Sequence, residues 1–320
     1  MAKGCVGNWN LEASANSLDS FEGVSAGPVS YADIIAARER IGLHLRRTPM
    51  WRYPLIDELI GAQVFVKHEN LQPTGAFKVR GGVNFMSVRA RELAHRGVVT
   101  FSTGNHGQSI AYAGALFSVP VRVVMPKNAN PVKLAALAKY GAEVIFFGDA
   151  FDDARVHAEE LAQRQDWCLV GAANEPLLIA GVATASLEMV EDESGLDAVI
   201  VPVGGGSGAA GACLIASECR PELRIIAVQS ENSPAAFRSW KSRTLCGGPN
   251  RTFVEGIAVG TGFELTQSIL WRGLSDFVIV SDDEIRRSMV WMLEKARTLA
   301  EGAAAATLAA AYRLRERWPD

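Results

Sequence analysis

Val199-Ile200-Val201-Pro202-Val203-Gly204-Gly205-Gly206-Ser207-Gly208 is an unbroken apolar run that opens directly into consecutive glycines. A short run of this kind, rich in β-branched residues, is the signature of a strand covered on both faces, and such strands belong to parallel sheets flanked by helices. Working outward, the stretches 64–67, 98–102, 121–125, 143–147, 168–171, 224–229 and 277–280 share its Val-, Ile- and Phe-rich character. Helical stretches 131–140, 152–164 and 283–298 separate them by enough residues for right-handed crossovers. The alternation predicts an α/β protein with parallel, doubly wound sheets. Ser30, with Asp33 behind it, is the expected N-cap of a helix running to about Leu45. Residues 1–28, rich in Ser, Asn, Gly and Ala and without periodicity, read as a loose extension. The alanine-rich stretch 296–311 reads as a buried, closely packed helix.

Composition narrows the function classes. The 320 residues are 48% hydrophobic, enough for one large or two modest domains. A net charge of −3 gives no attraction to nucleic acid or anionic lipid. No apolar run reaches the length of about 20 residues that a membrane helix needs. The cysteines (Cys5, Cys168, Cys213, Cys219 and Cys246) are odd in number and never spaced C-x-x-C. That argues against a disulfide framework or a zinc site and fits a reducing, cytoplasmic compartment.

Two further segments carry chemistry. Glu69-Asn70-Leu71-Gln72-Pro73-Thr74-Gly75-Ala76-Phe77-Lys78-Val79-Arg80-Gly81 follows a strand and sets Lys78 at a helix start. The ordinary lysine is a solvated surface charge, but the positive end of a helix dipole disfavours the protonated amine. A lowered pKa is what Schiff-base chemistry with a carbonyl requires. Ser102-Thr103-Gly104-Asn105-His106-Gly107-Gln108 is again a strand end and a helix start, where backbone amides bind anions such as a carboxylate. It can equally be a capped helix behind a glycine turn. His106 is expected to shape this loop; His44, His68, His95 and His157 show no ligand spacing. The glycines after Val203 let the backbone wrap a phosphate. Gly206-Ser207-Gly208-Ala209-Ala210-Gly211 also satisfies the dinucleotide pattern G-x-G-x-x-G, with Glu231 20 residues past Gly211. A dinucleotide site would leave the other two segments without a role, whereas a phosphate loop for a different cofactor gives all three one.

In their order, the three segments resemble the lysine motif, asparagine loop and glycine-rich phosphate loop of fold-type II pyridoxal-phosphate enzymes, specifically threonine/serine dehydratases and serine racemases. The resemblance runs from about Tyr31 to Ala310, with lesser matches at Thr48-Pro49, Asn174-Glu175-Pro176, Ile179-Ala180-Gly181, Gly256-Ile257-Ala258-Val259 and Glu301. It implies a tryptophan synthase β-like architecture of two domains. Residues 1–97 and 175–320 would form the large cofactor domain, and 98–174 the small domain carrying the asparagine loop. It implies pyridoxal 5'-phosphate held by Lys78, which would also remove the Cα proton. Gly204, Gly205, Gly206 and Ser207 would bind the phosphate, Asn105 the ring hydroxyl, Phe77 the ring face, with Glu301 beside the cofactor. Ser102, Thr103 and the amides of Asn105 and His106 would clamp the substrate carboxylate. The implied activity is an ammonia-lyase acting on threonine, serine or a bulkier 3-hydroxy amino acid such as phenylserine, in a cytoplasmic homodimer of amino-acid catabolism. An amino-acid racemase, a catalytically silent homologue and an NAD-type dehydrogenase are the alternatives.

Departures from the family pattern carry expectations of their own. Ser207 replaces the fourth glycine of the phosphate loop; its hydroxyl is expected to add a phosphate contact, and its backbone to manage a non-glycine conformation. Thr103 stands where family racemases carry a serine as second acid/base; its methyl restricts χ1, so elimination is expected to outrun racemisation. Gln229 and Ala235 stand where some relatives carry acidic metal ligands, so no divalent metal is expected there, and Glu231 reads as a solvated loop acid. The resemblance also implies an apolar strand after the last helix, ending in Ser-Gly-Gly-Asn. The sequence reads Trp318-Pro319-Asp320 instead, so the natural protein is expected to run on, or its end to be rearranged. No regulatory module follows, so end-product feedback is not expected.

Overall fold

The cap at Ser30 is a capping box. Ser30 Oγ accepts from the Asp33 amide at 3.2 Å and the Asp33 carboxylate takes the Ser30 amide at 2.8 Å, which starts α1 (Tyr31–Gly42). A computed structural model of the chain describes residues 29–102, 104–127, 131–149 and 151–317; the extension expected over 1–28 lies outside them. After α1 come β1 (Met50–Arg52), α2 (Pro54–Ile60), β2 (Phe65–Lys67) and α3 (Lys78–Arg96). Then follow β3 (Val98–Phe101), α4 (Asn105–Phe117), β4 (Val121–Met125), α5 (Pro131–Lys139), β5 (Glu143–Phe146), α6 (Phe151–Gln165) and β6 (Cys168–Leu169). The second half holds α7 (Pro176–Asp192), β7 (Ala198–Pro202), α8 (Ser207–Cys219), β8 (Arg224–Ser230) and α9 (Ala235–Ser242). It closes with α10 (Glu264–Gly273), β9 (Asp276–Val280), α11 (Asp282–Ala296) and α12 (Gly302–Leu314).

Two parallel sheets form, in the orders β5-β4-β3-β6 and β7-β8-β9. Strand alternation sends Val98, Val121 and Val123 into one core with Ile110 of α4, and Val99, Phe101 and Val124 into another with Ala154 and Ala158 of α6. The second sheet does the same. Ile225, Ala227 and Phe277 join the core containing Ala209 and Ala210 of α8, while Ile226, Val228 and Val278 pack with Ala305, Ala306 and Ala309 of α12. Of the alanine-rich stretch 296–311, the part from Gly302 on is a buried helix held close to a sheet, its methyl groups being small enough to allow that approach, whereas Ala296 ends α11 and 297–301 are a non-helical connection. One strand departs from expectation. Phe65–Lys67 is not part of a parallel sheet; it pairs antiparallel with β1, with Trp51 opposite Val66. β1 is only Met-Trp-Arg with two of its residues exposed, too short and too wet to show a period in sequence. The strand implied after the last helix is not among the described residues. α12 passes into a single 3-10 turn, Arg315–Arg317, and Trp318-Pro319-Asp320 lie outside them.

The start of α3 is fixed by buried charge. Arg80 is 1% exposed. It holds Glu69 through Nε and Nη2 at 2.8 and 2.7 Å, Glu188 through Nη1 and Nη2 at 2.7 and 2.8 Å, and Thr184 Oγ1 at 3.2 Å. Lys67 Nζ adds an ion pair to Glu188 at 2.7 Å, and Thr48 donates to Glu69 at 2.5 Å. Burial pushes the Glu188 carboxyl upward, but the hydrogen bonds and charges of Arg80 and Lys67 prevail and hold it below its ordinary value. This contribution to stability is thus present above the ordinary glutamate pKa of about 4.3 and is lost as pH falls through the lowered native value. Replacing Arg80 by Met leaves Glu69 without a cation and Glu188 with Lys67 alone in a dry site. The expected cost is about 3–5 kcal/mol, read as a fall in the urea midpoint at unchanged slope.

Candidate active site

Lys78 is the first residue of α3, so its amine sits where a helix presents free amides and a positive dipole end. Its Nζ donates to Ser207 Oγ at 2.7 Å and lies 5.3 Å from the Phe77 ring centroid. Burial alone pulls the amine down to about 8. The Phe77 ring rests on the start of α8, where a Cβ on Gly208 would approach it to 3.0 Å.

The glycine loop follows β7. Gly206 takes φ +93°, the left-handed region that glycine favours, and turns the chain into α8. Ser207 is the first residue of that helix, a backbone conformation open to any residue, because the left-handed step falls one position earlier. Its hydroxyl is free to meet the lysine. Thr266 Oγ1 holds the Gly205 carbonyl at 2.7 Å, and a Cβ on Gly204 would lie 2.6 Å from the Gly256 carbonyl, so the loop is pressed against the 256–257 turn.

The asparagine loop ends in α4. Asn105 Nδ2 donates to Glu301 Oε1 at 2.7 Å, and Glu301 is the N-cap residue of α12. His106 is buried, and burial first, opposed by its bond to the Val170 carbonyl and aided by the charge of Lys78, lowers its pKa to about 4. The neutral ring therefore donates Nε2–H to the Val170 carbonyl, at 3.1 Å, which is a loop-shaping contact. Ser102 Oγ accepts from the Gly104 amide at 3.1 Å. Thr103 lies outside the described residues.

The structure thus links Lys78 to Ser207 and Asn105 to Glu301, and Ser109 Oγ donates to the Lys78 carbonyl at 2.6 Å, joining α4 to α3. Ser109 and Thr266 escaped the sequence reading. A serine one turn into the helix after the asparagine loop was the one available signal for the first; Thr266 gave none. Gln229, by contrast, faces α9: its Oε1 accepts from the Phe237 amide at 3.1 Å, and Nε2 has no partner among the described residues. Ala235 is buried. Among the described residues no cluster of His, Cys, Asp and Glu is placed to hold a metal, and no helix is long and apolar enough to cross a membrane.

These features suit one group. An anionic phosphate fits the glycine turn and the start of α8, a flat ring fits the Phe77 face, and an aldehyde fits a buried amine of lowered pKa. A family model described as "Pyridoxal-phosphate dependent enzyme" matches residues 41–320. The chain belongs to this family. The enzyme is 36% identical over 286 residues to the catabolic L-threonine dehydratase of Escherichia coli, covering 88% of this chain and 86% of the relative. It is 32% identical to the L-threo-3-hydroxyaspartate ammonia-lyase of Saccharomyces cerevisiae, covering 90% and 88%. The crystal structure of serine racemase from Dictyostelium discoideum matches with a TM-score of 0.85 and 33% identity, over 91% of this chain and 94% of that one. The fold is the fold-type II architecture, the cofactor is pyridoxal phosphate, and the enzyme is a lyase of the group that also contains racemases.

Because the neutral amine is the nucleophile, lowering its pKa extends reactivity to lower pH. Loading of the cofactor-free protein with pyridoxal phosphate, followed by its visible band, is expected to rise with a midpoint near pH 8, not near the ordinary lysine value of about 10.4. Lys78→Ala should lose the band and turnover while its circular dichroism and thermal midpoint stay near those of the parent.

Proposed function

We propose that the enzyme is a dehydratase that converts a 3-hydroxy amino acid to a 2-oxo acid and ammonia, with threonine, serine or a bulkier analogue such as phenylserine as substrate. The observation that carries the reading is the buried amine of Lys78 with its lowered pKa, held at a helix start against Ser207 at the end of the glycine turn. Pyridoxal phosphate, when bound, supplies the electron sink that lets a proton leave the α-carbon. Lys78 Nζ holds the cofactor and takes that proton. The amides of Gly204, Gly205, Gly206 and Ser207 hold the phosphate at the dipole end of α8, and Phe77 supports one ring face. Asn105, steadied by Glu301, orients the ring hydroxyl. Ser102, Thr103 and the amides of Asn105 and His106 fix the substrate carboxylate at the start of α4, which places the Cα–H bond. The division into a large domain (1–97 and 175–320) and a small one (98–174), a homodimeric assembly and a cytoplasmic location belong to the same proposal.

Dehydration is preferred over racemisation because the latter needs a second acid/base on the far face, and that position in the asparagine loop is Thr103 with its restricted χ1. A misplacement of about 1 Å costs on the order of 10²-fold in rate. The test is a panel of L-threonine, L-serine, L-threo-3-hydroxyaspartate and phenylserine assayed for ammonia, with pyruvate and D-serine followed together on L-serine. Pyruvate should form on the order of 10²-fold faster than D-serine. Equal rates would make the enzyme a racemase, and a visible band without any product would make it a silent homologue.

A further inference from the structure

A peptide unit between two glycines has the least to hold it. Gly205 and Gly206 bring no side chain of their own, so the unit joining them is free to present either its carbonyl or its amide to the cradle. In a trans peptide those two groups point in opposite directions. Whatever fixes the Gly205 carbonyl therefore also aims the Gly206 amide.

Thr266 fixes it. Its Oγ1 donates to the Gly205 carbonyl at 2.7 Å, while the Phe263 carbonyl, one turn back at the start of α10, lies farther off at 3.3 Å. Thr266 is 1% exposed, so water has little access to the pair. The same side chain closes on the α-carbon of Gly206: a Cβ there would meet Thr266 Cβ and Oγ1 at 3.1 Å and Leu270 Cδ1 at 3.4 Å. Ala173 presses on Gly205, where a Cβ would come within 2.9 Å of its methyl group.

α10 is itself tied down. Gln267 Nε2 donates to the Ala236 carbonyl at 3.1 Å, Trp240 Nε1 to the Leu270 carbonyl at 3.2 Å, and Trp271 Nε1 to the Ser239 carbonyl at 3.0 Å, which cross-links it to α9. At its start Asn174 Oδ1 accepts from the Leu265 amide at 3.2 Å. The threonine stands on a supported element, as a group that sets the direction of a binding atom must.

We infer, on the reading of the glycine turn as the phosphate seat, that Thr266 is a positioning residue for the cofactor phosphate. By holding the Gly205 carbonyl away from the anion it turns the Gly206 amide toward it. Without the hydroxyl the Gly205 carbonyl is left buried and unpaired, which is costly. Rotation of the peptide between the two glycines relieves that cost. The rotation takes an N–H from the phosphate and brings a carbonyl oxygen toward it, so an attraction becomes a repulsion.

The test uses the parent enzyme, Thr266→Val, which keeps the shape and drops the hydroxyl, and Thr266→Ser, which keeps the hydroxyl. Each is isolated as the holoenzyme, stripped, and retitrated with pyridoxal phosphate or with 5'-deoxypyridoxal, which has the ring and aldehyde without the phosphate. The visible band gives the dissociation constants. Thr266→Val should weaken pyridoxal phosphate by about tenfold or more and leave 5'-deoxypyridoxal within about twofold of the parent. Thr266→Ser should stay within about threefold of the parent for both compounds. Should the valine variant not fold, Thr266→Ala carries the same expectation. Equal weakening of both compounds, no weakening of either, or a serine variant as weak as the valine one would overturn the inference and leave the phosphate seat in place. A parent enzyme that bound the two compounds equally would remove the phosphate seat, and the inference with it.

Discussion

A single guanidinium buried among two carboxylates fixes the ground on which the active site stands. Every N–H of Arg80 is engaged by Glu69, Glu188 or Thr184, which is what the planar fork of arginine achieves and a lysine cannot. Those partners come from the turn after β2 and from α7, and Lys67 brings in β2 itself. Buried ion clusters are weak sources of net stability but severe punishers of misplacement, since a shifted partner leaves an uncompensated charge. The first turn of α3 therefore has one permitted position, and Lys78 inherits it.

Two cations two residues apart meet opposite fates. Burial acts on both Lys78 and Arg80, and in both it disfavours the charge. Arg80 nevertheless has its pKa raised, because Glu69 and Glu188 outweigh that penalty. Lys78 is lowered, because burial acts there without an opposing acid. The site thus creates a nucleophilic amine by distributing carboxylates unevenly over one helical turn. His106, neutral against a carbonyl, adds no acid to that balance.

Most of the framework was legible because its strands are continuous β-branched runs; 121–125 matches β4 residue for residue. The local form of the site was legible for the same reason, each motif being a strand, a turn and a helix start. What sequence could not show is who meets whom. The left-handed step of the glycine loop rests on Gly206, which leaves Ser207 a helical residue with a lysine partner that the sequence did not show. Glu301 stood out only as a lesser match, and its bond to Asn105 was invisible. Glu69, Arg80 and Glu188 look like solvated charges in a list of residues. Only the fold brings them into a dry interior, where pairing is compulsory.

The bonds that close the site join residues far apart in the chain: Lys78 and Ser207 are 129 positions apart, Asn105 and Glu301 196. Contacts of such long range close slowly and late in folding. As the polypeptide leaves the ribosome, the lysine must wait for 129 further residues and the asparagine loop for 196 before their partners exist. The first parallel sheet can form from residues already synthesised, since domains tend to fold as units from the N-terminal side. The reactive centre cannot. A nascent chain halted before Glu301 would therefore carry the lysine, the loop and the glycine turn, yet lack the carboxylate that steadies Asn105, so the site is completed only after residue 301 has emerged.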